Sequence, residues 1–230
     1  MQMGKMKPPT MEDIVSMFQA SGLKAKLIFT FAMVAVFRFC AQIPLFGINN
    51  EVFVNIASGN NIIGFLDLFS GGALGNVSII ALGIGPFITA SIIMQLLAVI
   101  IPSLEQLQKE EGEAGRRKIS QYTRVFTVVI AAFQSFVFLA FLTSQASAAI
   151  LPGVNKGMFF FGSMLILTAG AVFVMWLAEL ITEKGIGNGG SLLIFCGILA
   201  GIPVYASRTS QLVAYDPKMQ LGLIVLLAIF

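Results

Sequence analysis

The sequence predicts an all-α polytopic membrane protein, and three observations carry that prediction. Hydrophobic residues make up 57% of the 230 and charged residues only 11%, which leaves too little polar surface to coat a soluble globule of this size. The mean hydropathy of +0.90 says the same. Apolar runs of roughly 20 residues, enough helix to cross a hydrocarbon core of about 30 Å, recur between the charged, Gly and Pro residues of the chain. The basic residues, finally, collect on alternate loops.

Taken in order, the periodicity gives five complete spans, Leu27 to Ile43, Ser78 to Ile101, Tyr122 to Leu142, Met158 to Leu180 and Ser191 to Tyr205. An unfinished run from Leu221 to Phe230 follows. It is too short to span, so the sequence is expected to stop inside a sixth helix.

Orientation follows from Lys and Arg, which are retained on the cytoplasmic side while acidic residues contribute little to that choice. With the N-terminus inside, ten basic residues lie in the cytoplasm: Lys5, Lys7, Lys24, Lys26, Lys109, Arg116, Arg117, Lys118, Arg124 and Lys184. Only Lys156, Arg208 and Lys218 fall outside, and Arg38 lies within the first span. The net charge of +3 is therefore a topological signal. No nucleic-acid partner is expected, because that needs a basic face on a soluble domain.

Both cysteines, Cys40 and Cys196, sit inside apolar spans, where a thiol behaves as a small hydrophobe. No disulfide, metal or cofactor is implied. Histidine is absent from the sequence, which removes the commonest general base, metal ligand and proton relay. Residues 1–26 are polar and amphipathic and carry no apolar h-region, so the first span is expected to act as the insertion signal.

Within this frame, Thr10 to Gly22 predicts a short surface helix, with Thr10 and Asp13 as a capping box and Ile14, Met17 and Phe18 at helical spacing. The alternative is a flexible tail. Phe46 to Asn61 is rich in Asn and Gly and reads as an external loop. Gly64 to Gly75 is apolar enough to leave water but too short and too glycine-rich to span. Irregular backbone survives at membrane depth only where it is buried in protein or lines a cavity, so a half-inserted element at a pore is expected. An ordinary surface loop exposing Phe65, Leu66 and Phe69 is the alternative.

In the second span, Gly83, Gly85 and Pro86 predict a kink or local opening, with Ile84 and Ile88 four apart on one face and Thr89 and Gln95 placed elsewhere. Simple helix packing would use the same pattern. Pro102 to Ser120 mixes charges around Gly112 and Gly115 and predicts a solvated cytoplasmic turn. Gly185, Gly187 and Gly190 match the spacing of a dinucleotide loop, but that motif needs a strand before it and a strand-helix-strand unit around it. A tight interhelical turn, with glycines at positive φ or at close backbone approach, is expected instead.

Four stretches then carry a resemblance that periodicity does not supply. Phe69-Ser-Gly-Gly-Ala-Leu, Ala81-Leu-Gly-Ile-Gly-Pro-Phe-Ile-Thr-Ala-Ser-Ile-Ile-Met-Gln-Leu-Leu, Glu111-Gly-Glu-Ala-Gly-Arg-Arg-Lys-Ile-Ser-Gln-Tyr-Thr-Arg and Trp176-Leu-Ala-Glu-Leu-Ile-Thr-Glu-Lys-Gly-Ile-Gly-Asn-Gly resemble, in that order, the SecY family, channel subunits of the Sec protein translocase. The resemblance runs from about Lys24 to the end. It implies the N-terminal five-helix half of a ten-helix inverted-repeat channel plus the start of the sixth helix. The implied divisions are a cytoplasmic segment at 1–26, the five-span half at 27–205 with a plug at 62–76, and an external loop with a truncated sixth span at 206–230.

The resemblance also implies roles. Ile84, Ile88 and Ile194 fall on pore-ring positions, where a narrow apolar constriction dewets and blocks ions while gripping any passing chain. Gly190 matches a ring position that is often larger, which predicts a wider seal or one that leans more on the plug. Phe65, Leu66, Leu68, Phe69, Ser70, Gly71 and Gly72 would belong to that plug, and Thr89, Ile92 and Gln134 to a lateral gate. Implied partners are SecE and SecG subunits, the SecA ATPase or a ribosome, a preprotein with its signal sequence, and lipid of a bacterial plasma or thylakoid membrane.

Two other readings compete. A secondary transporter also uses broken helices, but needs buried polar or charged groups, and only Arg38 and Glu179 sit near the spans. An intramembrane hydrolase would use Ser191 beside Gly190, yet the sequence has no His and no paired Asp to activate it.

Overall fold

The computed structural model describes residues 22–53, 72–109, 112–145, 149–151 and 155–215. Its helices are α1 Leu23–Ala41, α2 Gly85–Ile100, α3 Pro102–Lys109, α4 Gly112–Gln145, α5 Lys156–Lys184 and α6 Gly189–Tyr215, with one helical turn at 50–53. Among the described residues the only β pairings are two isolated antiparallel bridges, Pro44 with Ser78 and Ile48 with Ile150. The expected helix at Thr10 to Gly22, most of the 62–76 segment and the run Leu221 to Phe230 lie outside the described residues.

Four of the expected spans have helices at their places, with shifted ends, and the second departs from expectation. Residues 72–84 form successive turns, and regular helix begins only at Gly85. Pro86 lies in the first turn of α2, where its missing N–H costs no hydrogen bond and its restricted φ suits the helix. Gly83, at φ +55°, has a backbone that no right-handed helix accommodates. The proline therefore starts a helix and does not kink one.

The region Pro102 to Ser120 is also more ordered than a solvated turn. Pro102 opens α3, and α4 begins at Gly112 instead of Tyr122. Glu113 lies in the first turn of α4, where a carboxylate meets the positive end of the helix dipole. At its other end α6 continues past Tyr205 to Tyr215.

By length and composition, α4 over Gly112–Ser144 and α5 over Lys156–Lys184 are long and apolar enough to cross a membrane. Helix α2 and the Gly189–Ile202 part of α6 are shorter apolar helices. Large apolar side chains face outward, among them Val125, Val129, Phe133 and Phe136 on α4 and Phe161, Leu165 and Trp176 on α5. Hydroxyls inside the bundle bond back along their own helices, as Thr127 does to the Thr123 carbonyl at 2.7 Å and Ser135 to the Ala131 carbonyl at 2.7 Å. That leaves no unpaired hydroxyl at these places, where an unpaired one would be costly.

Helix α5 is the spine. It packs on α4, α6 and α1 and contributes to both buried clusters, one around Leu45, Phe53, Val77, Leu139 and Leu167, the other around Phe37, Ile80, Ile84, Val174 and Leu193. The 72–84 turns are tied to the chain after α1, with Leu45 N–H donating to the Val77 carbonyl at 2.8 Å and Ile79 N–H to the Ile43 carbonyl at 3.0 Å.

Candidate functional site

A cavity of about 400 Å³ opens between the 72–84 turns, α2, α4 and α6. Ile84, Ile88 and Ile194 line it together with Thr89 and Gln134. The three isoleucines expected at a ring and two of the three residues expected at a gate thus line one space. Thr89 was expected away from the Ile84 and Ile88 face. It borders the same space, and its hydroxyl bonds to the Gly85 carbonyl of its own helix at 3.1 Å. Ile92 does not join them: it is absent from the lining and 53% exposed, because it sits a further turn along α2, about 6 Å beyond Ile88 at 1.5 Å per residue.

Local backbone explains how these side chains arrive. Ile84 is the N-cap residue of α2, at φ −87° and ψ −4°, and its carbonyl accepts from the Phe87 and Ile88 N–H groups, each at 3.1 Å. Ile194 stands on the second turn of α6, whose start is capped by Asn188, with Oδ1 accepting from Ser191 N–H at 3.1 Å. Two threonine hydroxyls hold the preceding turn: Thr30 on α1 accepts from Ile186 N–H at 3.2 Å and Thr182 on α5 from Gly189 N–H at 2.9 Å. Gly187 takes φ +70°, while Gly185 and Gly189 make the close backbone approaches. The cluster is the tight interhelical turn that its composition predicts.

A second cavity of about 270 Å³ lies beside the first and is lined by Phe87, Arg124, Glu179, Asn188 and Gly190 among others. Ile84, from the first cavity, reaches toward Gly190 of the second: a Cβ added at Gly190 would stand 3.3 Å from the Ile84 Cδ1. The space a larger residue at 190 would use is thus bordered by the Ile84 side chain. Ile84 is only 6% exposed, so its side chain is buried between α2 and its neighbours.

The charges near the spans have structural partners. Arg124 Nε donates to Glu179 Oε1 at 2.8 Å, bridging α4 and α5. Arg38 Nη2 donates to the carbonyls of Cys196 and, at 3.1 Å, Gly197 on α6. The larger cavity is left with Thr89 and Gln134 as its polar side chains, a poor set for holding a charged solute.

Of the residues expected in a plug, Phe65, Leu66, Leu68, Phe69, Ser70 and Gly71 lie outside the described residues. Gly72 is described, at φ +86° with open space around it. Leu74, Leu82 and Phe138 also line the cavity and were not anticipated. Phe138 is four residues beyond Gln134, so helical arithmetic alone could have added it. Leu82 precedes the helix, and no periodic signal marks it.

The chain is similar to known proteins in sequence and in fold. The SecY family model matches residues 78–230. The chain is 45% identical over 226 residues to the protein translocase subunit SecY of Synechococcus elongatus, covering 96% of this chain and 50% of that protein. It therefore spans about half the length of such relatives. Its fold is similar to that of Sec61 in the canine ribosome-channel complex from the endoplasmic reticulum, with TM-score 0.51, 20% identity, and 84% of this chain and 37% of that one covered. It is similar also to a SecY structure whose plug domain stabilises the closed translocation channel and maintains a membrane seal, with TM-score 0.51, 22% identity, and 91% and 39% covered.

Proposed function

Because this chain belongs to the SecY family, we propose that it supplies one half of the wall of a channel through which unfolded preproteins cross a membrane and apolar helices enter it. The observation that carries the reading is the cavity itself, in which Ile84, Ile88 and Ile194 face one space with Leu74, Leu82 and Phe138. Branched apolar side chains around a narrow space exclude water when it is empty and contact any polypeptide by dispersion alone, without demanding a sequence. Thr89 and Gln134, on α2 and α4, are the proposed polar edge of a lateral gate. The remaining half of the channel, SecE and SecG subunits, and a SecA motor or a ribosome are the partners this reading calls for, in a bacterial plasma or thylakoid membrane.

Photocrosslinking tests the proposal. A photoreactive residue at Ile88 or Ile194 of the completed channel is expected to capture a preprotein stalled in transit, while one at Trp176, 53% exposed on the outer side of α5, captures lipid. Capture of the stalled chain at Trp176 and not at Ile88 or Ile194 would overturn the assignment of the cavity.

Topology gives a second expected result. The ten-to-three division of basic residues places the α3 to α4 junction in the cytoplasm. A cysteine at Gly112, where a side chain meets open space at the cost of a positive φ of +56°, should react with a membrane-impermeant maleimide only in inverted vesicles. Labelling from the outside alone would reverse the orientation.

A further inference from the structure

We infer that α5, which contributes no residue to the larger cavity, sets the spacing of that cavity's walls through two glycine contacts, at Gly170 and Gly189. The contacts stand on geometry alone; their consequence for transport rests on the channel reading above. A Cβ on Gly170 would run into the carbonyl oxygen of Ile79 and stand 3.0 Å from its carbon and 3.4 Å from the Ile80 Cα. The 72–84 turns are thus seated backbone against backbone on α5. From the other side they are held by the Ile79 to Ile43 and Leu45 to Val77 hydrogen bonds, at 3.0 and 2.8 Å. Clamped between α5 and the chain after α1, the turns have one seat, and Ile84 follows five residues after Ile79.

Gly189 makes the matching contact for the opposite wall. A Cβ there would run into the carbonyl oxygen of Ala178 on α5, 2.8 Å from its carbon and 2.9 Å from the Ile181 Cβ. Gly189 opens α6, and Ile194 lies five residues on. Both walls therefore rest on one helix, at positions 170 and 178, about 12 Å apart along its axis at 1.5 Å per residue. A flexible side chain can swing aside from an intruding methyl group. A backbone carbonyl, on α5 at Ala178 or in the clamped turns at Ile79, cannot, so a methyl at either seat has to translate the wall.

The sign of the effect separates this from helix propensity. Alanine is the better helix former, so without a seat Gly170→Ala would stabilise α5. Gly162 on the same helix meets nothing within 4 Å and supplies the control, since only propensity acts there.

The experiment uses the completed channel with its partner subunits and takes two readings. Wall spacing is read from the yield of a short bismaleimide bridging Ile84→Cys and Ile194→Cys, with Cys40 and Cys196 replaced by Ala. Resting ion conductance is read with both isoleucines native. Gly170→Ala and Gly189→Ala are each expected to change the crosslink yield several-fold and to raise conductance several-fold, while Gly162→Ala leaves both unchanged. Unchanged yield in both seat variants, at normal amounts of assembled complex, overturns the inference. Changed yield with unchanged conductance supports the seats and overturns the channel reading of the cavity. If one variant fails to assemble, the other carries the reading. Failure of both to assemble overturns the inference too, because the glycines would then serve folding alone.

Discussion

Replacing Ile88 with Asn is expected to raise the resting ion conductance of the completed channel by roughly tenfold or more. Ile88 lines the larger cavity one helical turn beyond Ile84, and an amide placed there has only apolar neighbours besides Thr89 and Gln134. Leaving such a group unpaired costs about 1–3 kcal/mol, a penalty that entering water removes, and each 1.4 kcal/mol is about a tenfold change in population. The hydrated state therefore gains. The same bias should relax the demand for a strongly apolar signal sequence, since the closed state loses part of its advantage. Exchange for Leu or Val should be tolerated, because water exclusion depends on apolar bulk and has no directional requirement. Planar-bilayer conductance and export of a reporter with a weakened signal are the measurements. If the Asn variant changes neither, Ile88 is a packing residue and not part of a pore.

Deleting residues 65–70 is the second large effect, and it is expected to make the resting channel leak ions while leaving it able to translocate. The plug assignment of Gly64 to Gly75 is a proposal that rests on the glycine content of this stretch, since glycine loses the most conformational freedom on ordering and a substrate would have to displace the element. The deletion should spare the seal residues. Downstream of it, Ser78 N–H bonds to the Ala73 carbonyl at 2.9 Å, and the Leu45 and Ile79 pairings clamp the turns before Ile84. A deletion channel that stays tight would remove the plug assignment. One that fails to assemble would mean that the segment is needed for folding.

How much of this was legible in the sequence varies with the kind of interaction involved. The spans corresponding to α1, α4, α5 and α6 follow from composition and length, because an apolar run of helical length has few alternatives in a membrane. The glycine turn at 185–190 was also legible, since positive φ at Gly187 is a local backbone property. Boundaries were less so. Pro86 reads as a kink or as a helix start according to what precedes it, and the mixed charges of 110–118 suit a solvated turn and an extended first turn of α4 equally well.

The sequence by itself determined that this protein is a helical membrane protein, and it set the expectation of an orientation through its basic residues. Those are properties of single segments and of their transfer from water, and they need no partner to be expressed. Only the tertiary structure decided that Thr89 and Gln134 border the same space as Ile84, Ile88 and Ile194 while Ile92 does not. It alone decided that a Cβ at Gly170 or Gly189 would meet the carbonyls of Ile79 and Ala178, while one at Gly162, on the same helix as Gly170, would meet open space. The physical reason is that a cavity wall and a close backbone contact are made by segments distant in the chain. What a glycine or a threonine does there is set by the atoms opposite it, and the linear pattern carries no record of those atoms.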